Sequence, residues 1–138
     1  MTLQHHDHQH DQACAGQCII DTDLHHFERD VIEASHRQLV MVDLWADWCG
    51  PCKRFAPIYE DASTRHEDVV FGKLDTEDAR DVAAAWEIQS IPTIMAFRRG
   101  NLVFRQAGLL NGKQVDSLIE QVKALDIEEL VKEAQAKQ

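Results

Sequence analysis

Two stretches of the chain, QLVMVDLWA at 38–46 and VVFGKLD at 69–75, are near-continuous apolar runs of strand length. Such runs suit strands buried on both faces, as in sheets covered by helices on either side. Each run contains a charged residue that stands out, Asp43 in the first and Lys73 in the second. A buried, unpaired charge costs several kcal/mol or drives the carboxyl pKa upward. Asp43 is then either a buried acid available for proton transfer or a strand-end acid facing water or a neighbour. Lys73 is either its partner on an adjacent strand or an ordinary lysine reaching out to solvent.

The segments between these runs have helical spacing. IIDTDLHHFERDVIEAS, from Ile19, reads as a short strand and then an amphipathic helix, with Asp23 as N-cap and Leu24, Phe27, Val31 and Ile32 on one face. CGPCKRFAPIYEDAS reads as a helix that tolerates Pro51 in its first turn and is expected to kink at Pro57. EDARDVAAAWEI at 77–88 is another helix, and TIMAFRRGNLVFRQA at 93–107 a hairpin turning near Gly100. NGKQVDSLIEQVKAL at 111–125 is an amphipathic helix, and Asp126 with Glu129 makes a capping-box pattern for one further short helix. The order predicts an α/β domain. Three early strands pair in parallel, the last two pair antiparallel, and helices cover both faces of a mixed sheet.

The chain has 138 residues, the size of one ordinary domain, with 44% hydrophobic and 28% charged residues. Its formal net charge of -10 and lack of a Lys/Arg cluster argue against a nucleic-acid partner. No apolar run approaches the roughly 20 residues of a membrane helix, so no membrane role is expected. The N-terminus MTLQHHDHQHDQ has no basic segment followed by an apolar core, which predicts no signal peptide and a cytoplasmic location.

The chemistry concentrates in DLWADWCGPCK, residues 43–53. A C-x-x-C pair can hold a metal, close a structural disulfide or cycle between dithiol and disulfide. A zinc ribbon generally needs a second such pair or a Cys/His completion, and this chain has no second C-x-x-C. An inert disulfide fits poorly with a reducing compartment. Cys49 falls where a buried strand hands over to a helix. Unpaired backbone N–H groups and the helix dipole there favour thiolate over thiol. Cys52 lies one turn on, placed to attack a mixed disulfide on Cys49. Gly50 and Pro51 between them leave a partner room to approach. SIPT at 90–93 reads as a turn before a strand, with Pro92 a candidate for a cis bond.

VDLWADWCGPCK, GKLD, SIPT and AGLLNG, in this order and spacing, resemble the thioredoxin family from about Ile19 to Leu125. The resemblance implies the thioredoxin fold, a central mixed five-stranded sheet flanked by helices, here with an extra C-terminal helix. It implies a protein-disulfide reductase, a thiol–disulfide oxidoreductase serving cell redox homeostasis and electron transport. By position, Cys49 matches the nucleophile, Cys52 the resolving cysteine, Asp43 the buried acid and Lys73 the lysine beside it. Pro92 matches the cis-proline facing the disulfide, and Trp45 the tryptophan packed behind the site. Trp48, Gly50, Pro51, Ile91, Pro92 and Gly108 match the flat surface that receives the partner's peptide. The implied partners are oxidised proteins and an NADPH-dependent flavoprotein reductase, whose cofactor is its own. The chain itself is expected to need none and to act as a monomer. Relatives that oxidise or isomerise disulfides usually carry a histidine between the cysteines; Gly-Pro there implies a reductant.

Residues 1–18 depart from the family pattern and read as a polar, His/Cys-rich tail, with the thioredoxin domain at 19–138. Cys14 and Cys18 form C-x-x-x-C, not C-x-x-C. Three readings stand: an idle tail, a zinc site built from Cys14, Cys18, His8 and His10, with His5, His6, His25 and His26 nearby, or an accessory redox pair that exchanges with Cys49–Cys52. The competing role for the whole chain is a scaffold or metal-responsive module. Such a module has no need of the tuned dithiol with Asp43 and Pro92.

Overall fold

A computed structural model describes residues 19–136. Five strands form one sheet in the order β1-β3-β2-β4-β5. They are β1 (Ile19–Thr22), β2 (Val40–Trp45), β3 (Val70–Asp75), β4 (Thr93–Arg98) and β5 (Asn101–Ala107). β3 pairs in parallel with β1 and β2, while β4 pairs antiparallel with β2 and β5. The helices are α1 (Gly50–Arg65), α2 (Arg80–Ala85), α3 (Gly112–Ala124) and α4 (Ile127–Ala136). The predicted mixed sheet and its parallel and antiparallel halves are all present.

Alternation along β2 builds two cores. Val40, Val42 and Leu44 pack with Phe27, Val31, Leu74, Val82 and Phe97. Met41 points the other way, among Phe55, Tyr59, Phe71, Val115 and Ile119 of the α1–α3 side. Residue 43 shares the face of Met41 by the strand's period of two. A carboxyl is therefore directed into an apolar layer under α1.

Two helices differ from the sequence expectation. Over residues 28–33 the chain forms a widened π-type helix, followed by a 3-10 turn at Ala34–His36. Phe27 and Val31 are buried and Ile32 half-buried, but Leu24 lies in the preceding turn and is exposed. The carboxylate of Asp23 accepts the His26 N–H at 2.9 Å, so the predicted cap residue does cap, one turn earlier than the helix proper. The helix expected over 77–88 is only six residues long. Glu87 adopts φ 56, and the N–H groups of Glu87 and Ile88 donate to Ala84 and Ala83. This is a Schellman closure with glutamate where glycine is usual, and it cuts the helix short. α1 continues across Pro57.

The β4–β5 turn has φ 53 at Arg99 and φ 80 at Gly100. Consecutive positive values are those of a type I′ hairpin turn. Buried Ser35 holds it, accepting the Arg99 N–H at its carbonyl and the Gly100 N–H at its hydroxyl, both at 2.8 Å. α3 opens with a full capping box. The Asn111 side chain accepts from the Gln114 N–H, and the Gln114 side chain accepts from the Asn111 N–H, both at 2.8 Å. Asn111→Ala is expected to lower stability by about 1 kcal/mol, read as a lower urea midpoint at unchanged slope. At α4, the Asp126 carboxylate accepts the Glu129 N–H at 3.0 Å, one half of the predicted box.

Candidate active site

The site forms where β2 ends and α1 begins. Cys49 is the N-cap of α1, and its sulfur accepts the Cys52 N–H at 3.2 Å. Sulfur thus takes the place of the usual capping oxygen, in contact with the amides at the positive end of the helix. In the reduced protein the same contact favours thiolate at Cys49. Cys49 and Cys52 are joined by a disulfide, and both residues are only 4% exposed. One turn of helix separates the two sulfurs, and the bond closes between neighbouring side chains.

The turn before β4 faces this disulfide. The Ile91–Pro92 peptide bond is cis, and the Ile91 carbonyl oxygen lies 3.6 Å from the Cys49 sulfur. Once the disulfide is reduced, the thiol has an acceptor there. Gly108, at φ 107, donates its N–H to the Pro92 carbonyl at 2.9 Å, tying the end of β5 to the same loop. A Cβ at Gly108 would meet nothing within 4 Å, so the surface is open at that point. Trp48 is 70% exposed beside the disulfide. Between Trp48 and Ile91 runs a groove of about 380 Å³ floored by Thr76, Ala83 and Ile88. Cys49, Trp48, Gly50, Pro51, Ile91, Pro92 and Gly108 therefore come from three separate parts of the chain to one end of the sheet. Glu77 was not singled out by the sequence. Arg80 and a hydrogen bond from Trp48 hold its carboxyl below the usual range, which ties the exposed indole to the start of α2.

Behind the disulfide, Asp43 is wholly buried, and neither carboxylate oxygen has a hydrogen-bond partner. Burial pushes its pKa up to about 7, against a smaller downward pull from Lys73. Lys73 is the direct neighbour of Asp43 in the β2–β3 register. Its ammonium sits over the Trp45 ring, 4.9 Å from the centroid. Cys52, Phe55 and Tyr59 follow the i, i+3, i+7 stripe of α1, and all three are buried. Tyr59 donates its hydroxyl to the Gly72 carbonyl at 2.8 Å. Burial and nearby Asp43 raise its own pKa. Nothing in the sequence pattern marks Tyr59 as other than an apolar core position.

Cys14, Cys18, His8 and His10 lie outside the described residues, as does the rest of the tail through residue 18. Among the described residues, which include His25 and His26, no group of three or more His, Cys, Asp or Glu side chains could hold a metal ion. No helix among them is long and apolar enough to cross a membrane.

Comparison with known proteins agrees with this geometry. The family model described as Thioredoxin matches residues 18–124. Putative thioredoxin 2 of Streptomyces coelicolor is 45% identical over 95 residues, which span 69% of this chain and 71% of that protein. Thioredoxin-2 of Saccharomyces cerevisiae is 42% identical over 81 residues, 59% of this chain and 78% of that protein. A chain in the crystal structure of a complex of ferredoxin:thioredoxin reductase and thioredoxin f2 has a TM-score of 0.72 at 28% identity, covering 79% of this chain and 97% of that one. The chain therefore belongs to the thioredoxin family, shares its fold and carries its activity, thiol–disulfide oxidoreduction directed at disulfides.

Proposed function

We propose that the chain reduces disulfides of partner proteins in the cytoplasm, as a monomer, with Cys49 as nucleophile and Cys52 as resolving thiol. The observation that carries this is the Cys49 sulfur at the N-cap of α1, accepting the Cys52 N–H. The Cys49 thiolate attacks one sulfur of the target disulfide, and the other target sulfur leaves as thiolate. Asp43, an unpaired buried carboxyl under α1, takes the proton from Cys52. The Cys52 thiolate attacks Cys49, the mixed disulfide breaks, and the second target sulfur is released. Two electrons pass to the target, and the chain is left with the Cys49–Cys52 disulfide seen in this structure. Trp48, Gly50, Pro51, Ile91, Pro92 and Gly108 form the surface on which the target peptide lies.

The oxidised chain is returned to the dithiol by a reductase. A structural relative occurs in a complex with ferredoxin:thioredoxin reductase. Our reading assigns this chain an NADPH-dependent flavoprotein as donor, which places it in cellular electron transport and redox homeostasis. No cofactor of its own enters the cycle. Zinc in the tail, at Cys14, Cys18, His8 and His10, is a separate question of binding. Elemental analysis of the reduced protein, with a thiol count, separates zinc, second redox pair and idle tail.

Cys52→Ser is expected to accumulate a mixed disulfide between Cys49 and a test protein, visible as a higher-mass adduct on non-reducing gels and dispersed by added dithiol. If no adduct forms while Cys49 remains reactive to alkylation, the division of roles is wrong.

A further inference from the structure

Lys73 stands opposite Asp43 across β2 and β3, the place from which a lysine would pair with it. Its ammonium is instead seated over the Trp45 ring, and both Asp43 oxygens are buried without a hydrogen-bond partner. Trp45 lies two residues beyond Asp43 on β2, so the two side chains share a face and Lys73 reaches both. A desolvated carboxylate attracts an ammonium more strongly than the face of an indole does. A seat over the ring is thus the arrangement expected while Asp43 is neutral. Whatever free energy the ring contributes to holding Lys73 must be given up when Asp43 ionises and draws the ammonium across.

We propose that Trp45 is a positioning residue for proton transfer: by holding the Lys73 ammonium over its ring, it keeps Asp43 without a counter-ion and raises that carboxyl's affinity for a proton. The proposal rests on the assignment of Asp43 as the proton acceptor for Cys52. Among the described residues, Lys73 is the cation opposite Asp43, and the carboxylates on the face of Lys73 are Asp21, its register partner on β1, and Asp75, two residues on along β3. From α1 come the neutral Tyr59 hydroxyl, committed to the Gly72 carbonyl, and Cys52. From β4 the register partner is Ile94, and the buried residues of α3 on this side are Val115, Leu118, Ile119 and Val122.

The test follows the Asp43 carboxyl directly, by carbon-13 NMR titration of the full-length oxidised protein, with Asp43→Asn identifying the resonance. Trp45→Leu is expected to lower the Asp43 titration midpoint by about one pH unit, a tenfold change in proton affinity. Trp45→Phe, a weaker cation acceptor, should give a smaller downward shift, and carries the test should the leucine variant fail to fold. In a Lys73→Gln background the same Trp45 substitution should leave the midpoint nearly where it was. A midpoint unmoved by either Trp45 change overturns the proposal. So does an equal shift with and without Lys73, which would mean that Trp45 merely shields Asp43 from water. The assignment of Asp43 as proton acceptor is tested separately. If Asp43→Asn leaves the pH profile of the reduction rate intact, that assignment falls, whatever the titration shows.

Discussion

Cys49→Ser is expected to reduce a test protein disulfide no faster than the driving dithiol does unaided, a loss on the order of a thousandfold or more. Serine at the N-cap would accept the Cys52 N–H as well as sulfur does, so α1 and its stability should be nearly those of the reduced parent. What disappears is the sulfur that, among the described residues, stands at the helix N-terminus to make a covalent bond with the target. A hydroxyl there is not ionised near neutral pH and forms no stable bond to sulfur. Turbidity or fluorescence of the test substrate measures the rate, and circular dichroism checks the fold. Retention of even a tenth of the activity would place the attacking thiol elsewhere.

Asp43→Asn should make the protein more stable at pH 8 by on the order of 4 kcal/mol, while leaving it nearly as stable as the parent at pH 3.5. The sign follows from proton binding. The carboxyl has a pKa of about 7 in the folded chain against an ordinary value of 3.8. Between those pH values the folded state holds a proton that the unfolded state has released. Stability therefore falls as pH rises through that window and levels off above it. Asparagine carries no charge to desolvate, so the slope disappears. Urea unfolding at several pH values measures it. The same substitution should slow release of the mixed disulfide and flatten the rate's dependence on pH near neutrality. A parent protein whose stability rises between pH 4 and 7 would contradict the buried, unpaired state of this carboxyl.

The contrast between these residues explains what could be read from the sequence. Asp43 and Cys49 were legible because each breaks a local rule. One is a charge in an apolar strand, and the other is a thiol in a pair at a strand-to-helix junction. The mixed sheet was legible because the continuous runs of β2 and β3, separated by helical spacing, call for parallel strands covered on both faces. The seat of Lys73 over Trp45 was not, because it depends on a diagonal contact between strands far apart in sequence. Tyr59 was hidden by being a good core residue whose hydroxyl finds a distant carbonyl. α2 was overestimated because its helical spacing continues through Trp86 and Ile88, while the left-handed backbone at Glu87 stops it. The Asn111–Gln114 box does have its signature in the sequence, an N-x-x-Q ahead of an amphipathic run.

The position of β2 also bears on how the acid exchanges with its surroundings. This strand has hydrogen-bonded neighbours on both sides over Val40–Leu44, whereas β1 and β5 each have one among the described residues. Backbone amides of β2 should be among the last to exchange with deuterated water, by global opening rather than local fraying. The proton on Asp43 then has no route through a breathing strand. Exchange of that proton during turnover is then expected to run through side-chain motion around the half-buried Lys73, not through unfolding of β2.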